Sequence, residues 1–139
     1  MMKSLQSVTA NKVFFLSLTG LFFTLPISAE VSAWDCYKLE GAKIIAEDGT
    51  YLGTLDDSYK SDSIYNEYSE HGSDYSSSSI WNEYSEYGSE YSSSSAFNEY
   101  SSDPPVLLKD GEVIGKLTTR EYALDGYDAR ELKKDCDWD

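Results

Sequence analysis

A word of sixteen residues is spelled almost three times in the middle of this chain, and so short a period leaves few ways to fold. The units read "YKSDSIYNEYSEHGSD" from Tyr59, "YSSSSIWNEYSEYGSE" from Tyr75 and "YSSSSAFNEYSSDP" from Tyr91. Some places never vary: Tyr at place 1, Ser at places 3 and 5, then Asn-Glu-Tyr-Ser at places 8 to 11. Before the Asn stands an apolar-aromatic pair, Ile64-Tyr65, Ile80-Trp81 and Ala96-Phe97. A serine-rich tract alone makes a flexible linker. A linker has no reason to hold a bulky pair at one fixed phase, so the units read as packed, turn-rich segments. Gly72 and Gly88 supply turns, and Asn66, Asn82 and Asn98 supply others by bonding their own backbone. Ordering sixteen residues costs on the order of 20 kcal/mol. Burying four or five large side chains offsets about the same amount. A unit therefore needs something to lie against.

The flanks offer it. "KIIAEDGTYLGTL" (Lys43–Leu55) and "PVLLKDGEVIGKL" (Pro105–Leu117) match place for place at an offset of 62 residues. Asp-Gly between apolar-rich runs is a hairpin signal, because Gly49 and Gly111 tolerate the positive φ of a tight turn. The pattern predicts strands near 42–47 and 50–55, and near 105–109 and 112–118. The two hairpins pair into one small antiparallel sheet, and the ring at place 7 of each unit packs against these two ribbons. Gly53 and Gly115, inside the second strands, mark a bulge or a close backbone approach. A short helix is expected at 128–136, where Asp128 and Glu131 have capping-box spacing and Lys133 and Lys134 suit its carboxyl end. The fold class expected is mainly β (α+β): a hairpin region at 30–58, the repeats at 59–103, and a second hairpin with its capping helix at 104–139.

The amino terminus has the order of a secretory signal peptide over residues 1–29. Lys3 and Lys12 precede the uncharged run "VFFLSLTGLFFTL", and Pro26 and small residues follow. The run is short for a membrane span. Cleavage between Ala29 and Glu30 is favoured, with cleavage after Ala33 as the alternative. Residues 1–29 hold two lysines and no acid. Beyond them 9 basic residues face 25 acidic ones, a formal charge of −16 over 110 residues. A field of that sign repels nucleic acid and anionic membranes, so neither is an expected partner. Aromatics make up 14% of the chain, far more than a disordered acidic segment carries. Cys36 and Cys136, one near each end of the mature chain, read as a single disulfide in an exported protein, periplasmic or secreted.

The stretch "IWNEYSEYGSEYSSSSAFNEYSSDPPVLLKDGEVIGKLT" resembles the repeat region of a loose group of uncharacterised secreted bacterial proteins with units of the type YGxYGSxYSxxSIWN. In that group a paired proline and a glycine-containing hairpin follow the units. The likeness covers Leu39 to Leu132. It departs at Ser69, Ser85 and Ser101, where the group tends to have Gly. The resemblance implies a fold shared among exported proteins and assigns no chemistry.

No catalytic constellation stands out. The lone histidine, His71, occupies the place that Tyr87 fills in the next unit, which suits a surface or packing position better than a general base. The serines lack a nucleophile setting, and carboxylates are too abundant for any pair to be informative. "AEDGT", "LDDSYKSDS" and "DCDWD" offer oxygen ligands, but none matches a calcium loop. No cofactor or metal is expected. Two readings remain. One is a non-catalytic structural or interaction protein whose partner is an envelope or extracellular protein, or a second copy. The other is a small binding module in which Tyr65, Trp81 and Phe97 stack on sugar rings or peptides.

Overall fold

A computed structural model describes residues 30–139; the expected signal peptide and Ala29 lie outside the described residues, and Glu30 is the first of them. The elements in chain order are helix α1 (Ala33–Leu39), strands β1 (Lys43–Ile45), β2 (Tyr51–Thr54), β3 (Val106–Lys109), β4 (Glu112–Leu117) and β5 (Gly126–Tyr127), and helix α2 (Ala129–Asp135). The class is α+β, one mixed five-stranded sheet in the order β2-β1-β3-β4-β5 with two short helices.

Both hairpins form, and they join through their first strands. Ile44 stands opposite Leu107 across the β1–β3 seam, and both are fully buried. The sister turns close differently. Asp110 and Gly111 both take positive φ, the twist-matched two-residue turn between Lys109 and Glu112. In the first hairpin only Gly49 does, and a wider loop runs from Ala46 to Thr50. There Asp48 is drawn away: its Oδ1 accepts from the Thr50 N–H at 2.9 Å and its Oδ2 from the Tyr87 hydroxyl at 2.7 Å. Both hairpins carry a register shift. Gly53 is a place of close approach, where a β-carbon would lie 2.7 Å from the Asp62 carbonyl oxygen.

Two features of the sheet and helices differ from the sequence expectation. The sheet is not purely antiparallel, because the chain turns at Ala123–Gly126 and runs β5 parallel to β4, with Lys116 opposite Gly126. A helix precedes the first hairpin. Ser32 and Asp35 form its capping box, with the Asp35 N–H donating to Ser32 Oγ at 3.1 Å and the Ser32 N–H to Asp35 Oδ2 at 3.3 Å. At α2 Asp128 is the N-cap, as expected, and it accepts from the Arg130 N–H at 2.8 Å. Cys36 in α1 and Cys136 at the end of α2 are joined by a disulfide, with Cα atoms 5.4 Å apart. The bond ties the two helices across a separation of 100 residues.

Residues 59–103 form neither helix nor strand beyond one isolated bridge from Ser63 to Thr54. Their order comes from side chains that bond backbone, and the same bonds recur sixteen residues apart. The place 5 hydroxyls of Ser63, Ser79 and Ser95 accept from the N–H two residues on, at 3.0 to 3.1 Å. Each place 8 asparagine works in both directions. Its Oδ1 accepts from the backbone N–H of Tyr68, Tyr84 or Tyr100, and its Nδ2 donates to the carbonyl of Lys60, Ser76 or Ser92. Ser69 and Ser85 donate to the carbonyls of Asn66 and Asn82 and accept from the N–H of Gly72 and Gly88, while Ser101 donates to Ser93. A glycine in those places could make none of these bonds.

The apolar pair of each unit divides between two surroundings. Ile64, Ile80 and Ala96 at place 6 are buried in the core with Leu52, Leu55 and Leu117. The place 7 rings form a ladder, Tyr65 to Trp81 at 6.2 Å and Trp81 to Phe97 at 5.3 Å between centroids. Its partners come from α2 and the tail rather than from the two ribbons. Trp138 lies 6.0 Å from Tyr65, the Tyr65 hydroxyl donates to the Ala129 carbonyl at 2.7 Å, and the Arg130 guanidinium sits 5.1 Å from the Phe97 ring centre. The ribbon side is met by place 13, where His71 stands edge-on to Tyr51 and Tyr87 bonds Asp48 and Thr50.

Candidate functional site, a tyrosine and carboxylate face

Sorting the invariant places by what their side chains do leaves a remainder. Places 5, 8 and 11 are explained by hydrogen bonds, and place 6 by burial. The serine of place 3, the glutamate of place 9 and the tyrosines of places 1 and 10 are explained by neither, and the tyrosines are the large side chains among them. Tyr59, Tyr75 and Tyr91 at place 1, and Tyr68, Tyr84 and Tyr100 at place 10, are between 75% and 92% exposed. Six large rings at two fixed phases thus stand in water, where they contribute little to folding. Single exposed apolar groups are ordinary, but a set recurring at fixed phases is not explained by folding.

Two shallow grooves of the same design lie on this face. In the second unit, Asp74, Tyr75, Trp81, Asn82, Glu83 and Tyr84 line a cavity of about 540 Å³. In the third unit, Glu90, Tyr91, Phe97, Asn98, Glu99 and Tyr100 occupy the same places around about 680 Å³, joined there by Thr119 and Arg130. In each groove the place 7 ring shares the lining with the two exposed tyrosines of its unit, and a carboxylate precedes each of these four tyrosines in the chain. Bonds to Glu83, Glu90 and Glu99 raise the phenols of Tyr84, Tyr91 and Tyr100 above their ordinary value. Among the described residues the ion pairs are Arg130 with Asp128 and Lys133 with Asp139, so the groove carboxylates keep their charge uncompensated by any direct pair.

The three aromatics expected to bind are brought together, but in different settings. Tyr65 is 6% exposed, and its hydroxyl is committed to Ala129. Burial, with Asp128 nearby, raises its pKa well above the ordinary phenol range. Trp81 and Phe97 are half-buried and line the two grooves. The residues that sequence reasoning did not single out are the groove walls Tyr75, Tyr84, Tyr91 and Tyr100 with Glu83 and Glu99. Their signal was present, since each place 10 tyrosine sits between Glu and Ser with no apolar neighbour to pack with. The fold does gather acids elsewhere: carboxylate oxygens of Glu40, Asp56 and Asp57 lie within 4.8 Å of one another at the surface. Such a group is common in a chain this acidic. His71 is half-buried, with its Nδ1 3.3 Å from the Ser78 carbonyl oxygen, a packing position.

The chain matches no protein family model, no curated protein and no solved structure.

Proposed function

We propose that this is an exported, non-catalytic interaction protein of the cell envelope or exterior, in which the repeats form a scaffold that displays the tyrosine and carboxylate face to another macromolecule. The observation that carries this reading is that six tyrosines kept at two phases of a sixteen-residue period are almost fully exposed. The Cys36–Cys136 bond favours an oxidising compartment, in line with the expected signal peptide. Uncompensated acids on the face oppose contact with a like face, so a second copy is the poorer partner. The acids also disfavour nucleic acid and anionic lipid. The reading of a small binding module for carbohydrate or peptide gains from Trp81 and Phe97, which line grooves, and loses from Tyr65, which is buried.

A photo-crosslinking residue placed at Tyr84 or Tyr100 in the producing cell tests the proposal, with Tyr122, 98% exposed and outside the units, as control. Discrete adducts at Tyr84 and Tyr100 but not at Tyr122 are expected. Equal labelling at all three, or no adduct at any, overturns the reading.

A further inference from the structure

The groove of the third unit already holds a cation. The Arg130 guanidinium reaches it from α2: Nε and Nη2 donate to the Asp128 carboxylate at 3.2 and 2.9 Å, and the group sits over the Phe97 ring at 5.1 Å in a lining shared with Glu90, Glu99, Tyr91 and Tyr100. Aromatic faces and carboxylates together are what a guanidinium prefers: the ring quadrupole attracts the charge, and the planar group stacks where an ammonium cannot. Two further cations touch the units, one through a ring and one through backbone carbonyls. Lys60 Nζ lies 5.5 Å from the centre of the Tyr59 ring, and Arg120 donates from Nε and Nη2 to the carbonyls of Glu99 and Ser101 at 3.0 Å each. The groove of the second unit repeats the design, with Asp74 for Glu90, Glu83 for Glu99 and Trp81 for Phe97; no basic residue lines it, and Arg130 and Lys133 stand in the adjoining cavity on the other side of Asp74 and Trp81.

We infer that the second-unit groove takes an arginine side chain from an extended, cationic segment of a partner protein, held between Asp74 and Glu83 and against the rings of Tyr75, Trp81 and Tyr84. The inference rests on reading this face as an interaction surface, and it adds the chemistry of the partner. Charge complementarity supports it beyond the groove, since the chain carries 25 acidic against 11 basic residues. Arg130 is the internal stand-in for the ligand, which yields a second expectation. Removing its charge opens the third-unit groove to the same ligand.

The test is an NMR titration of the oxidised, isotope-labelled protein with a short peptide carrying arginine at alternate positions. A peptide with citrulline, the neutral isostere, serves as the control. Shifts are expected at residues 74–75 and 81–84, including the Trp81 indole N–H, and they should weaken as salt is raised. The citrulline peptide should bind at least about tenfold more weakly, since the charge term is lost. D74N and E83Q should each weaken binding by about two- to fivefold, the range for one exposed charge contact. Both side chains are at the surface, so the spectrum of the free protein reports whether the fold is intact. R130Q should add shifts at 90–91 and 97–100. Equal binding of the two peptides, shifts scattered over the whole acidic surface, or an R130Q variant with no new site would each overturn the inference. Tighter binding of a neutral oligosaccharide in these grooves would do so as well. Should the arginine peptide fail while crosslinks at Tyr84 persist, the face remains an interaction surface and only the cationic partner falls.

Discussion

Asn82→Ala separates the scaffold of the repeats from their display. The Asn82 Oδ1 accepts from the Tyr84 N–H at 3.0 Å and its Nδ2 donates to the Ser76 carbonyl at 3.1 Å. Both partners are backbone groups in a segment that has no ladder to satisfy them otherwise. At roughly 1 kcal/mol per neutral hydrogen bond, the substitution should cost about 2 kcal/mol. For a domain of this size that lowers Tm by roughly 8 °C, taking about 4 °C per kcal/mol. Asn82→Asp keeps the acceptor but turns a charged oxygen toward the Ser76 carbonyl, so it should cost at least as much as the alanine. Tyr84→Ala, two residues away, removes a far larger side chain that is 90% exposed, and it should stay within about 0.5 kcal/mol. Thermal and urea unfolding of the oxidised variants, followed by near-ultraviolet circular dichroism, reads all three. The reasoning fails if Tyr84→Ala proves more damaging than Asn82→Ala, because the tyrosine column would then be the structural one.

Reduction of Cys36–Cys136 opens a loop of about 100 residues and should remove up to about 4.7 kcal/mol; unfolding with and without reductant checks this, and equal midpoints contradict it. Stability should fall as pH rises above 10. Burial first, then Asp62 and Asp35 respectively, push Tyr51 and Tyr127 up to about 12, and burial raises Tyr65 further. Phenols in the unfolded chain ionise near 10, so the stabilisation is complete below that pH and is lost on the way to the folded-state values. Urea midpoints at pH 9 and 11 test the sign, and a flat profile refutes it. Gly53→Ala should cost about 2 kcal/mol or more, since its φ of 108° and a β-carbon 2.7 Å from Asp62 O combine strain with a clash. Gly111→Ala, with a φ of 81° and open space around the new carbon, should cost only about 1 kcal/mol in a urea melt.

The parts legible in the sequence are those fixed by local chemistry. The two Asp-Gly turns located both hairpins, and equal spacing of their apolar runs implied that they share one sheet. Asp128 with the lysines after Leu132 located α2, and two far-separated cysteines in a chain expected to be exported implied their bond. The helix α1 was legible in principle, since Ser32 stands three residues before Asp35, but the small residues around it also read as a cleavage site. Strand β5 left no local sign. It is two residues long and exists because the turn at Ala123–Gly126 lays it beside β4, a tertiary event. The division of each apolar pair was also hidden. Adjacent residues in a turn-rich segment carry no period to say which one faces the core, so Ile80 and Trp81 looked equivalent until the fold assigned one to the sheet side and the other to the α2 side. The same limit concealed the candidate site. Invariance at places 1 and 10 looked like packing, because a repeat preserves scaffold and contact residues alike, and only exposure separates them.

Replacing Tyr59, Tyr68, Tyr75, Tyr84, Tyr91 and Tyr100 together by serine, and recording thermal unfolding of the oxidised protein, tests that separation most directly. With the six rings in water and the scaffold bonds of Asn66, Asn82 and Asn98 untouched, the account predicts cooperative unfolding within a few degrees of the parent protein. Loss of cooperative unfolding would show that the tyrosines hold the repeats together, and would remove the ground for reading them as a face built for contact.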